Sequence, residues 1–303
     1  MGLSPDRFDY CPIVDRPRIE WPNEARVAFW VAPNVEHYEY LPRFDGVRNP
    51  WPRSPYPDVQ GYSHFDYGNR VGFWRMLEVL DKYRIRSTVS LNLSVLDRYP
   101  EIASAMFERG WDFMSHGFDN TSYMTTFSEE EERAWLLDNI AAFERHSGRR
   151  LEGLFGPSSS CTERTPDLLA ELGFLYHCDW MHDDQPMPLK VKSGRLISVP
   201  YTMETNDGLV LRTSADVSYF ARICKAQFDR LYREGAESGR VMCLATHPCW
   251  TGQPHRIRWL DEALSYILGH DGVWLATAGE IADYYYANCY ERVAAHVAAL
   301  NAA

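Results

Sequence analysis

Short apolar runs alternate with amphipathic stretches from one end of the chain to the other. Residues 26–33 (RVAFWVAP), 86–91 (RSTVSL), 111–115, 151–156, 174–179, 196–200, 240–246 (RVMCLAT) and 273–276 read as buried strands. Between them, apolar residues recur at helical spacing over 72–83, where Phe73, Met76, Leu77 and Leu80 share one face. The same spacing covers 99–109, 128–146, 214–237, 260–269 and 278–290. Helix ends are written in local chemistry. Ser128 and Glu131 have the spacing of a capping box, and Glu129, Glu130, Glu131 and Glu132 sit where the helix dipole favours anions. This acidic run is read as a helix start, not a metal cluster. Gly110, Gly148 and Gly173 supply stops, and Thr165-Pro166 reads as the N-cap and first helical residue of a further helix.

Strand–helix alternation over the whole length predicts an α/β fold, a parallel sheet covered by helices. Seven or eight such units predict a barrel, an incomplete one included. No linker or internal repeat divides the chain, so 1–303 is expected to be one catalytic domain. One stretch departs from the rule of short loops. Residues 38–67 hold five prolines between Pro42 and Pro57, many aromatics and no clear period. A structureless stretch of that length in a compact domain is expected to be a lid or a subunit contact.

Composition narrows the partners. The 303 residues carry a net charge of −11, which argues against nucleic acid and anionic membrane. No apolar run is long enough to span a bilayer. The seven cysteines are odd in number and contain no C-x-x-C pair, which predicts reduced thiols. With no apolar core near the N-terminus, a cytoplasmic location is expected. A small-molecule substrate is expected, and the aromatic loop and Tyr284-Tyr285-Tyr286 suggest a homo-oligomer.

In a parallel barrel the chemistry lies at the carboxyl ends of the strands. The residues following the apolar runs are Asn34-Val35-Glu36-His37, His116-Gly117-Phe118-Asp119-Asn120, Pro157-Ser158-Ser159-Ser160, Asp179-Trp180-Met181-His182 and His247-Pro248. A carboxylate with imidazoles can hold a divalent metal or activate water directly, and a further imidazole can protonate a leaving nitrogen. Glu36, His116 and His247 are the candidate catalytic residues. Trp180, Asn120, Ser158 and Arg70 are candidate substrate contacts. Cys161 and the serines of 158–160 lack a G-x-S-x-G elbow, so covalent catalysis is not expected. Asp179 is read as a partner for neighbouring backbone.

These rim residues resemble the NodB-like polysaccharide deacetylases, and within them the cofactor-free allantoinase and cyclic imide hydrolase branch. Asp66-Tyr67-Gly68-Asn69-Arg70 with Val71-Gly72-Phe73-Trp74-Arg75 is similar to that branch's D-Y-G-x-R-x-G-x-W-R segment. Gly173-Phe174-Leu175-Tyr176, Asp179 and Asp183-Asp184-Gln185-Pro186 resemble its GFLY…D…DD-P stretch. Val199-Pro200-Tyr201-Thr202 with Thr205-Asn206-Asp207 resembles its PYT…TND. The resemblance covers about residues 20–290. It implies a distorted (β/α)7-type barrel, an acid at Glu36, an imidazole at His116 and a catalytic histidine at His247. The T-F-D-D acid pair of the sugar deacetylases is Asn34-Val35-Glu36-His37 here, and their H-x-x-x-H metal pair is His116…Asn120. Either one divalent metal, zinc first, held by Glu36, His116 and Asn120 (or His37 or Asp119 in its place), or none is expected, with no organic cofactor. The function expected first is hydrolytic opening of a small cyclic amide or imide at a carbon–nitrogen bond. Metal-dependent deacetylation of an N-acetyl sugar or glycan, and a non-catalytic ligand-binding relative, are the alternatives.

Overall fold

The computed structural model describes residues 7–42 and 57–302. Its frame is a nine-stranded sheet in the order β6-β7-β5-β4-β3-β2-β1-β8, with β9 also paired to β1. The strands are β1 (Val27–Val35), β2 (Thr88–Leu91), β3 (Asp112–Ser115), β4 (Gly153–Leu154), β5 (Tyr176–His177), β6 (Met187–Pro188), β7 (Ile197–Ser198), β8 (Arg240–Thr246) and β9 (Val273–Leu275). All ladders are parallel except β6–β7. β1 and β8 run in register from Val27↔Arg240 to Pro33↔Thr246. No ladder joins β7 to β8; instead, residues before β6 and after β7 reach β8 by single links such as Val241 N–H to Asp184 O at 2.8 Å and the Asn206↔Ala245 bridge. The sheet therefore curls into a half-barrel, the distorted α/β barrel expected.

Side-chain alternation along β1 sorts its residues between two apolar clusters. Ala28, Trp30 and Ala32 lie with Met114, Phe155, Tyr176, Val199, Val241, Cys243 and Ala245 inside the curl. Val27, Phe29, Val31 and Val35 face the helix layer with Phe73, Leu80, Phe228 and Leu264. Each such side chain taken from water contributes about 1.5–3 kcal/mol of burial before entropy is charged. The same parity decides which way the residues just past each strand face. Even-numbered residues past β1 and β3, and odd ones past β8, continue on the inner face.

The helices match the apolar periodicity. α1 (Val59–Tyr67) leads through a π turn, Gly68–Gly72, into α2 (Phe73–Lys82). Part of the 38–67 stretch is thus helical, and residues 43–56 lie outside the described residues. α3 (Ser94–Arg98) and α4 (Pro100–Glu108) precede β3, and Gly110 takes φ 62°. α5 (Glu129–Ser147) has the Ser128–Glu131 capping box and ends on Gly148 at φ 64°. Glu132 is not solvated. It is buried and accepts from Thr162 Oγ1 at 2.6 Å and from the Thr165 hydroxyl. That contact corrects the reading of Thr165 as an N-cap. α6 (Thr165–Glu171) starts at that residue, whose hydroxyl accepts from Thr162 N–H at 2.8 Å and donates to Glu132.

Further differences lie at the C-terminal half. α7 (Asp207–Thr213) has no counterpart among the expected elements; it is a helix capped by Asn206, whose Oδ1 accepts from Gly208 N–H at 3.0 Å. α8 (Tyr219–Glu234) begins later than position 214 because Asp216 Oδ1 holds Ser218 N–H and Oγ at 2.9 and 2.6 Å, a local turn that competes with helix. α9 (Ile257–Leu268) matches its pattern. The last helical stretch is two helices, α10 (Ala278–Asn288) and α11 (Tyr290–Asn301). Tyr285 is core, while the Tyr284 and Tyr286 hydroxyls donate to the carbonyls of Glu20 and Leu175, both at 2.9 Å. No helix among the described residues is long and apolar enough to cross a membrane.

Candidate active site

The inner-face parity gathers three side chains from strands far apart in sequence. Glu36 lies just past β1, His116 just past β3 and His247 just past β8. Glu36 Oε1 is 3.4 Å from His116 Nε2 and 3.6 Å from His247 Nε2. The three side chains are 8, 2 and 15 % exposed, so the cluster is nearly closed to solvent. His37 takes the opposite parity. It packs towards the helix layer, its Nδ1 3.2 Å from the Tyr99 hydroxyl and its Nε2 4.0 Å from Asp119. Asp119 itself accepts from Ser94 Oγ at 2.7 Å. Neither is brought to Glu36.

Partners fix the protonation of the rings. His116 Nδ1 lies 2.7 Å from Phe155 O, an acceptor only, so that nitrogen carries the hydrogen. His116 Nε2 faces the Glu36 carboxylate, 3.4 Å from Oε1. His247 Nδ1 lies 2.6 Å from Asp207 Oδ1 and donates to it. Asp207 is fully buried, and its Oδ2 also accepts from His247 N–H at 2.8 Å, Thr251 N–H at 3.1 Å and the Thr251 hydroxyl. Burial raises the pKa of Glu36, but the His247 charge, the His116 ring and the Tyr38 hydroxyl together hold it below the ordinary carboxylate value. Burial works against a charged His247, yet Asp207 and Glu36 outweigh it and raise that pKa above the usual imidazole value. Glu36 is thus held as an anion and His247 as its cationic partner.

A supporting frame surrounds them. Tyr38 Oη donates to Glu36 Oε2 at 3.0 Å, and Asn120 Nδ2 donates to Tyr38 Oη. The Tyr38 ring stacks on Phe65 at 3.7 Å. Asn92 accepts from His37 N–H at 3.0 Å and donates to His116 O, tying the ends of β1 and β3 together. The π turn presses on the loop after β8. A Cβ on Gly68 would lie 2.8 Å from Cys249 N, and one on Gly72 would overlap the Pro248 carbonyl oxygen. Gly72→Ala must displace backbone next to His247, so a loss of about 1–3 kcal/mol and a lower kcat are expected. An unchanged Tm on thermal denaturation would contradict that contact.

The remaining sequence candidates sit elsewhere. Arg70 is exposed and pairs with Asp66 one turn earlier. Trp180 packs edge-on against Phe8 at 5.2 Å. Ser158 is exposed at φ 56°, and Ser159 comes next at 55°, a strained pair of left-handed residues. The N–H groups of Ser159 and Ser160 are already bonded to Gly156 O at 2.8 Å and Pro157 O at 3.0 Å. An oxyanion site built on those two donors is therefore not available. Asp179 does bond backbone, accepting from Gly156 N–H at 2.8 Å. Burial, with Asp179 nearby, pushes the Cys161 thiol up to about 12, which keeps it from acting as a nucleophile. A cavity of about 980 Å³ lined by Arg16, His182, Asp184, Tyr201 and Arg230 does not include Glu36, His116 or His247.

The donor set does not fit the metal arrangement of the sugar deacetylases. Asn120 occupies the place of the second imidazole, and its amide nitrogen faces Tyr38, not Glu36 or His116. Among the described residues no group of three or more His, Cys, Asp and Glu side chains is arranged to hold a metal ion. Asp207, Tyr38 and Asn92 were not singled out as site residues from sequence. For Asp207 the T-N-D motif was the available signal.

Comparison with known proteins agrees with this architecture. The polysaccharide deacetylase family model matches residues 56–177. A provisionally named polysaccharide deacetylase of Schizosaccharomyces pombe is 28% identical over 291 residues, 86% of this chain and 91% of that protein. The structure of a "probable Polysaccharide deacetylase" from Pseudomonas aeruginosa PAO1 superposes with a TM-score of 0.80 at 27% identity, over 90% of this chain and 95% of that one. PuuE allantoinase superposes with a TM-score of 0.77 at 26% identity, over 90% and 94% of the two chains. With its half-barrel and rim histidines, the chain carries a polysaccharide deacetylase domain match over residues 56–177 and is similar over about nine-tenths of its length to a probable polysaccharide deacetylase and to an allantoinase.

Proposed function

We propose that this chain is a hydrolase that opens a small cyclic amide or imide at a carbon–nitrogen bond without a metal step. The observation that carries the reading is Glu36 Oε1 within 3.4 Å of His116 Nε2 and 3.6 Å of His247 Nε2, with His247 backed by Asp207 at 2.6 Å. A water held beside Glu36 and His116 gives a proton to Glu36 as its oxygen bonds to the ring carbonyl carbon. The carbon–nitrogen bond then breaks as His247 Nε2 delivers its proton to the leaving nitrogen. The proton on Glu36 returns to His247, and the ring has become a carboxyl group and an amide or amine. Asp207 holds the imidazole in the tautomer that makes this possible and stabilises its charge. The enclosure of the cluster favours a small substrate, and the replaced metal ligand at Asn120 supports activation of water by Glu36 itself. The test is a panel of succinimide, hydantoin, allantoin and N-acetylglucosamine oligomers on metal-stripped and metal-loaded protein. Ring opening by the stripped protein is expected. Acetate release that depends on added metal would replace this reading with glycan deacetylation.

The charge states predict the pH dependence. Glu36 must be ionised, and its pKa lies below 4.5, so the rate falls only as pH drops through that lowered value. His247 must be protonated, and its pKa lies above 6.5, so the rate falls as pH rises through that raised value. A bell-shaped kcat/KM profile is expected, its acid limb below the ordinary carboxylate range and its alkaline limb above the ordinary imidazole range, and a rate still rising above neutrality would contradict the assignment.

A further inference from the structure

Asn120 carries an acceptor that its surroundings leave unused. A phenol has one hydrogen, and the Tyr38 oxygen lies 3.0 Å from Glu36 Oε2, which can only accept. That hydrogen is committed to Glu36. The Asn120 atom against the phenol must then be the amide nitrogen, as found. Its Oδ1 is left as a fixed acceptor, because turning the amide would set one acceptor against another. The residue is 6 % exposed, and Oδ1 is buried with no hydrogen-bond partner. The backbone of Asn120 is tied to the same segment, its N–H donating to His37 O at 2.8 Å. The orphan oxygen is therefore held beside the Glu36–Tyr38 pair, at the sequence position where the sugar deacetylases carry an imidazole.

We propose that Asn120 is a specificity-determining residue, its Oδ1 accepting a hydrogen bond from the N–H next to the reacting carbonyl of the substrate. The site then takes amides and imides that carry that hydrogen and rejects N-alkylated ones, which would leave the buried oxygen unpaired. This rests on the reading of Glu36 as the base of a carbon–nitrogen hydrolase. Tyr38 has a different part. It is a positioning residue that turns Oε1 towards the histidines.

The probes are succinimide and N-methylsuccinimide, measured for kcat/KM and for calorimetric affinity with wild type, Asn120→Leu and Tyr38→Phe. Wild type is expected to prefer succinimide by at least about a hundredfold. Asn120→Leu should bring the preference below about tenfold, by losing succinimide alone. Leucine shares the branching of asparagine and is no smaller, so a purely steric preference would survive that change. Tyr38→Phe should slow both imides alike, keep the preference and move the acid limb of the pH profile upward. Equal losses on both imides in Asn120→Leu, or no preference in wild type, would overturn the proposal. A wild type that ignores both imides but deacetylates N-acetylglucosamine oligomers removes the ring-opening reading instead. The same ratio, taken between N-acetyl and N-methyl-N-acetyl glucosamine, then decides the role of Asn120.

Discussion

His247→Asn is expected to lower kcat by at least about a hundredfold with little change in Tm, and Glu36→Gln to do the same. The two losses have different origins. Asparagine can still bond Asp207, but it has no proton of suitable acidity to give to a leaving nitrogen. Glutamine keeps the shape of Glu36 and can accept from Tyr38, but it cannot take a proton from water. The pH profile separates them. The alkaline limb should vanish in His247→Asn, and the acid limb should vanish in Glu36→Gln. Because the residues act as one unit, the double variant should be scarcely slower than either single one. Near-normal turnover in both single variants would remove them from the mechanism.

Asp207 should show the largest effect on stability. Its carboxylate receives four hydrogens, from the His247 ring and backbone and from the Thr251 backbone and hydroxyl, in a fully buried position. Asp207→Ala leaves all four donors without that acceptor and leaves the His247 charge without its partner. Removing one member of such a buried pair costs about 3–5 kcal/mol. Asp207 is also the first residue of α7, so the loss should reach the start of that helix. Asp207→Asn retains one acceptor oxygen and is expected to fold better, yet its amide hydrogens face groups that also donate. Its kcat should fall by at least about a hundredfold through the wrong imidazole tautomer. Urea unfolding of the two variants checks the order. An Asp207→Ala midpoint equal to wild type would contradict the network.

Much of the fold was legible because long elements carry strong periodicity. The run 240–246 is β8 to the residue, and the Ser128–Glu131 spacing marks α5 because two side chains meet two backbone groups there. The short strands were less legible. The runs 151–156, 174–179 and 196–200 each pair over two residues only, since burial makes a chain apolar whether or not it sits in a ladder. α7 was hidden by Asn206-Asp207-Gly208, three residues that favour turns and also cap helices. Position after a strand found Glu36, His116 and His247. Parity would have gone further and separated Glu36 from His37. Trp180 also follows a strand and Arg70 lies in the D-Y-G-x-R-like segment, but neither place gives direction, and Arg70 points to solvent while Trp180 packs on Phe8. Tyr38 is a partner through space that no spacing in the chain announces, while Asp207 is marked only by the T-N-D motif.

The most direct test is the rate of succinimide opening by chelator-treated wild type and Glu36→Gln, monitored as loss of the imide. Ready opening by wild type and a rate at least about a hundredfold lower in Glu36→Gln are predicted. Equal rates for the two proteins, or a wild type that opens the ring only after metal is returned, would contradict a carboxylate acting on water by itself.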